Sequence, residues 1–160
     1  MGNYYQPTSD PPLATASATR DPAEQLARIG LLLDAQRVEI YRAVHGEKFR
    51  RSALWTAQEF RHADLTVSEL PAMWFPWSLG NVRPLEWVFV RNAATLPLTP
   101  NADVAIGDLN MASALHLPLE ANGATVGATC VLWSTLQTDW RSGHYDRVLE
   151  WSIAALDACG

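Results

Sequence analysis

The stretch "ASALHLPLEANGATVGATCVLWS", residues 112 to 134, constrains the fold of this chain more than any other. Two apolar runs flank Asn122-Gly123, a pair suited to the left-handed backbone of a two-residue hairpin turn. Pairing outward from that turn sets Leu119 against Val126, Leu117 against Ala128 and Leu115 against Cys130, one apolar face. His116 then stands against Thr129 and Ala114 against Val131 on the other. A two-stranded ribbon is not stable alone, so the rest of the chain must extend it into a sheet and cover it.

The remaining segments supply those parts. "DPAEQLARIGLLLDAQ" carries Asp21 as helix cap, Pro22 at the first helical position, Glu24 three residues after the cap, and Leu26, Ile29, Leu32 and Leu33 as a buried stripe. In residues 37 to 57, Val38 and Ile40 alternate with polar neighbours, "HGEK" turns the chain, and Phe49, Arg51, Ala53 and Trp55 alternate back, which predicts a second hairpin. Residues 61 to 72 read as polar connection. "LPAMWFPWSLGNVRPLEWVFV", residues 70 to 90, holds three of the seven tryptophans. Its Pro76 suits the start of a short helix running to about Val82, Pro84 stops that helix, and "EWVFVR" returns to strand. "TLPLTPNADVAIGDLN" reads as loop with a helical turn or two. "SGHYDRVLEWSIAALDA" closes the chain as a helix, with Tyr145, Val148, Leu149, Ile153 and Leu156 at 3- and 4-residue spacing and Trp151 and Ala155 broadening the arc.

This order predicts an α+β domain over residues 21 to 158, a central antiparallel sheet with terminal helices on one face and a helix-containing crossover on the other. Residues 1 to 20, with Pro7, Pro11 and Pro12 among Ser, Thr and Ala, read as a flexible tail. At 160 residues and 48% hydrophobic the chain has the material for one core.

Charge and composition narrow the function. Twelve Lys and Arg against 17 Asp and Glu give a net charge of -5, and the basic residues are scattered except for Lys48, Arg50 and Arg51, so direct nucleic-acid binding is not expected. Two cysteines form no disulfide framework, and no apolar run is long enough to span a bilayer, so the expectation is a cytoplasmic protein with no membrane contact. His45, His62, His116 and His144 share no metal-ligand spacing. Neither a nucleophile elbow nor a phosphate-binding loop is present, and the chain is not expected to be an enzyme.

The order of motifs resembles the GAF domain family, the small α+β regulatory modules of sensor kinases, phosphodiesterases and transcription regulators. Trp55 ends the second strand. "FPWSL" (Phe75 to Leu79) is similar to that family's FPW-L helix start, and "EWVFVRNAATLP" to its following strand and loop. The hairpin resembles its S-L-x-V-P-L, glycine turn and G-x-L pattern, and "DWRSGHYDRVLEWSIAAL" its closing helix. Asn110 and Pro84-Leu85 stand where the family usually has glycine.

The resemblance implies a ligand site between sheet and crossover. Trp74, Phe75 and Trp77 would form its lid and Trp87, Phe89 or Trp133 its floor, with Arg91, Asn92, Asp108 and His116 as the nearest polar groups. The phytochrome-type signature for a bilin, cysteine followed by histidine, is absent, and the cofactor is left open. Cys130 is expected among leucines, as a small hydrophobe. Two readings stand: a non-catalytic sensor that binds a small cytoplasmic ligand and signals through its terminal helices, or an unliganded module for dimerisation or docking whose aromatic rings fill a core. Ala154, Ala155 and Ala158, with the wide arc of the closing helix, and the family's habit of pairing through terminal helices imply a homodimer. A separate protein, or a longer parent chain, would carry the output.

Overall fold

A computed structural model describes residues 21–45, 48–58, 69–71, 87–95 and 111–160. Helix α1, Pro22–Leu33, begins as its cap predicts: the Ala23 amide donates to the Asp21 carboxylate at 3.0 Å. Leu26, Ile29 and Leu33 are buried, while Leu32 is only partly so. The helix stops at Asp34 in the left-handed region, φ 52°, a conformation that a short polar side chain tolerates. Gly30 lets the Trp55 ring lie directly on the helix, since a Cβ there would stand 2.0 Å from Trp55 Cζ3.

Strands β1 (Arg37–Val44) and β2 (Lys48–Thr56) form the hairpin expected over residues 37 to 57. Ile40 pairs with Ala53 and Tyr41 with Arg51, so Ser52 is an extra residue in a bulge. Strand β3 (Glu69–Pro71) pairs with β2 inside a stretch expected to be connection; three residues carry too little alternation to be read as strand. Strand β4 (Val88–Val90) comes next, and a 3-10 turn, Ala93–Thr95, follows it. Strands β5 (Ser113–Ala121) and β6 (Ala124–Trp133) complete an antiparallel sheet in the order β3-β2-β1-β6-β5-β4. Helix α2, Tyr145–Ala158, packs beside α1 on one face of that sheet. The expected tail, the short helix after Pro76 and the loop beyond residue 95 lie outside the described residues up to residue 110.

The turn between β5 and β6 has the expected chemistry, with Asn122 at φ 53° and Gly123 at φ 77°. Its register departs from the simple count. Glu120 pairs with Thr125 but Leu119 with Gly127, leaving Val126 as the extra residue of a bulge. From there on Leu117 pairs with Thr129, Leu115 with Val131 and His116 with Cys130. A one-residue slip turns side chains to the opposite face, and this corrects the placement of Cys130: it leaves the leucine row and joins His116.

The helix-covered face carries Val38, Ile40, Leu115, Leu117, Leu119, Val131 and Trp133, which are buried against Leu26, Ile29, Val148, Ala155 and Leu156. Helix α2 turns a slightly different stripe inward than its apolar residues suggest. Val148, Ser152, Ala155 and Leu156 are buried, while Ile153 is 42% exposed. Five residues beyond Val148, Ile153 lies about 140° round the helix, off the buried arc. Among the described residues no helix is long and apolar enough to cross a membrane.

Candidate functional site

The second face of the sheet, turned away from α1 and α2, is where polar chemistry collects. Strand alternation sends Val38 and Ile40 to the helices and therefore Arg37, Glu39 and Tyr41 to this far face. None of the three is solvated: Arg37 is 0%, Glu39 2% and Tyr41 3% exposed. The Arg37 Nε donates to one Glu39 carboxylate oxygen and the Tyr41 hydroxyl donates to the other, so a single carboxylate ties three successive far-face positions together.

Register extends the cluster sideways. Glu39 pairs with Cys130, Cys130 with His116, and His116 with Val88, so one rung of the sheet reads Val88, His116, Cys130, Glu39 across four strands. His116 Nδ1 lies 3.3 Å from Cys130 Sγ. Arg51 stands opposite Tyr41 on β2. Tyr41, Phe49, Ala128 and Cys130 form one apolar patch around this row and Val90, Met111, Ala114 and Leu132 another, with Val88 between them. Apart from this row, at the β1–β2 hairpin, a groove of about 700 Å³ is lined by Ala43, Val44, His45, Lys48, Arg50 and Glu69; Arg50 and Glu69 form an ion pair at 2.9 Å, and with Val44 and Lys48 they share the register face of Arg42 rather than that of Tyr41.

Burial fixes the protonation of this face. Loss of solvent pushes the His116 imidazole down to about 4, so it is neutral at physiological pH. The same loss, with the neighbouring Glu39 charge, drives the Cys130 thiol well above its ordinary range. Burial, Glu39 and Cys130 raise Tyr41 in the same direction, against a smaller opposing effect of Arg51. A neutral thiol and imidazole in contact are not the thiolate pair of a nucleophilic catalyst. The cluster offers fixed hydrogen-bonding groups and guanidinium charge within apolar walls, an arrangement suited to holding a guest. Among the described residues no group of three or more His, Cys, Asp and Glu is placed to hold a metal ion.

The residues expected from the sequence fall into four places. His116 is on the far face, as its position opposite the leucine row predicted. Trp87, Phe89 and Trp133 are on the helix face, so the expected floor and the expected polar group face opposite ways, a correction that follows from strand alternation. Trp133 meets Phe89 edge-on with ring centroids 6.1 Å apart and donates its indole N–H to the Leu33 carbonyl at 3.0 Å. Trp87 meets Trp140 edge-on and Tyr145 at a tilt, with ring centroids 5.2 Å apart in each pair. Arg91 is exposed past the end of β4, and the Asn92 side chain accepts from the Ala94 amide in its own turn. Trp74, Phe75, Trp77 and Asp108 lie outside the described residues.

Sequence reading missed Arg37, Glu39, Tyr41 and Arg51. In "RVEIYRA" the polar positions of an alternating strand look like a solvated face. The usable signal was their complementarity: a cation, a carboxylate and a phenol at i, i+2 and i+4 can satisfy one another out of water.

No protein-family model matches the chain, and no curated protein matches it in sequence. Solved structures match it in shape. The GAF domain of the cyanobacteriochrome TePixJ superposes with a TM-score of 0.67 at 18% identity, covering 93% of this chain and 96% of that one. A phycoerythrobilin-bound GAF domain from a cyanobacterial phytochrome gives 0.66 at 14% identity, over 86% and 83%. A domain of a two-component sensor histidine kinase protein from Sinorhizobium meliloti gives 0.59 at 18%, over 81% of both chains. The fold of this protein is therefore that of a GAF domain.

Proposed function

We propose that this chain, a GAF fold over residues 21 to 158, is a non-catalytic sensory module that binds a small polar molecule on the far face of its sheet and signals through α1 and α2. The observation that carries the reading is the buried Arg37–Glu39–Tyr41 cluster. Desolvating an ion pair costs several kcal/mol per ion, roughly, and apolar residues of the same volume usually stabilise a core as well or better. Charges kept at that cost are put down here to a guest that they recognise. His116 and Cys130 extend the cluster toward β4. Trp74, Phe75, Trp77 and Asp108, from the segments that lead into β4 and β5, complete the site in this reading.

The two helices supply the output. Leu31 on α1 is 76% exposed and Ile153 on α2 42%, and Ala154 beside it is exposed, surface that suits a homodimer formed through these helices. The downstream partner is a separate protein or a further part of a longer chain, in the cytoplasm, with no nucleic acid involved.

Native mass spectrometry of protein purified from its own source tests the reading. A co-purified small molecule, retained by the native protein and lost in Arg37→Met, is the expected result. Its absence, with no shift in melting temperature across a metabolite panel, would favour an unliganded scaffold.

A further inference from the structure

We propose that Arg42 is the latch through which the far face controls the end of α2. The inference rests on the far face being the ligand side. Tyr41 and Arg42 are neighbours on β1 and point to opposite faces of the sheet, Tyr41 to Glu39 and Arg42 to the helices. The Arg42 guanidinium donates to the Leu156 carbonyl, in the last turn of α2. The Leu156 carbonyl also accepts from the Cys159 amide at 3.2 Å, so Arg42 adds a second donor at the negative end of the helix dipole, where a cation is favoured. Arg42 also draws down the Cys159 thiol, which burial otherwise raises, so its charge is felt at the residue that ends the helix.

The contact sits where strand and helix approach closely. A Cβ on Gly127, the residue paired with Arg42 on β6, would stand 2.4 Å from the Tyr41 carbonyl and 2.9 Å from Leu156 Cδ2. The Tyr41 carbonyl and the Leu156 side chain thus both approach the Gly127 backbone closely, at the strand pair that carries Arg42, and a side chain at position 127 would separate them. A guest that draws the Tyr41 hydroxyl from Glu39 shifts the backbone of β1 there, and Arg42 transmits that shift to the helix end. The latch has two states, closed on the Leu156 carbonyl or released, and the last turn of α2 is ordered in the first and frayed in the second.

Hydrogen exchange of the unliganded full chain tests the latch. Tyr41→Phe removes the far-face hydrogen bond without touching α2. Exchange at amides 156 to 160 is expected to speed up by about fivefold relative to amides in the middle of α2, the low end of common coupling energies. In an Arg42→Gln background, already released, Tyr41→Phe is expected to add nothing at those amides. Equal acceleration in both backgrounds, or none in either, would overturn the latch. If Tyr41→Phe does not fold, coupling is read from the other end, since it is reciprocal: Arg42→Gln must speed exchange at the Tyr41 amide, and no change there overturns the proposal. No ligand enters these measurements, so their failure removes the latch and leaves the sensory reading to its own test.

Discussion

At the residue scale His116 shows how position on a sheet sets chemistry. Its place opposite the leucine row was legible from alternation alone, but its partner was not, because the bulge at Val126 brings Cys130 beside it instead of Thr129. Burial beside the protonated Cys130 thiol strips the ring of solvent and lowers its pKa to about 4, so it is neutral, against about 6.5 in an unfolded chain. Between those two values the unfolded state binds the extra proton, so stability falls with pH from about 6.5 down to about 4 and this contribution levels off below. Urea midpoints taken from pH 7 to pH 4 should therefore fall in the wild type. They should fall less in His116→Gln, which keeps a polar side chain and cannot titrate. Parallel declines in the two proteins would mean that His116 titrates freely in the folded state.

At the element scale, the cap of α1, the two hairpins and the closing helix follow from local signals: Asp21 with Pro22, the Asn122-Gly123 turn, and 3- and 4-residue apolar spacing. Bulges do not, since an extra residue costs the alternation nothing until the far end of the strand is reached. Gly127 marks the spot. It follows the bulged Val126, and in the sequence it is an unremarked glycine inside a strand, a position that often signals a bulge or a close approach. Here it is both, with the Tyr41 carbonyl and the Leu156 side chain where a Cβ would go. Leu156 can rotate and the Tyr41 carbonyl cannot, so Gly127→Ala must spread β1 from β6 in the middle of the sheet. A loss of roughly 1 to 3 kcal/mol in urea unfolding is the expected cost of such overpacking. Gly143→Ala, with nothing within 4 Å, is the matched control and should change little.

At the scale of the whole molecule, the sheet and the layer of terminal helices on one face of it were readable from the order of elements, and the inside of the far face was not. Alternation tells which residues share a face but not whether that face is wet, so Arg37, Glu39 and Tyr41 look like solvent-facing residues until the fold buries them. Their burial sets stability against function in a way that can be measured. Removing one partner, as in Glu39→Ala, leaves the Arg37 charge buried without its carboxylate, and a loss of about 3 to 5 kcal/mol is expected. Replacing all three with apolar residues of similar volume, Arg37→Met with Glu39→Leu and Tyr41→Phe, removes the desolvation cost along with the ion pair. That triple variant should match the wild type or exceed it in urea unfolding, despite containing the position that is most damaging alone, because the three substitutions act on one network and are not additive. It should also lose whatever small molecule co-purifies with the native protein. If the triple variant is as unstable as Glu39→Ala, the cluster holds the sheet together in its own right, and the argument from its cost to a sensory role fails with it.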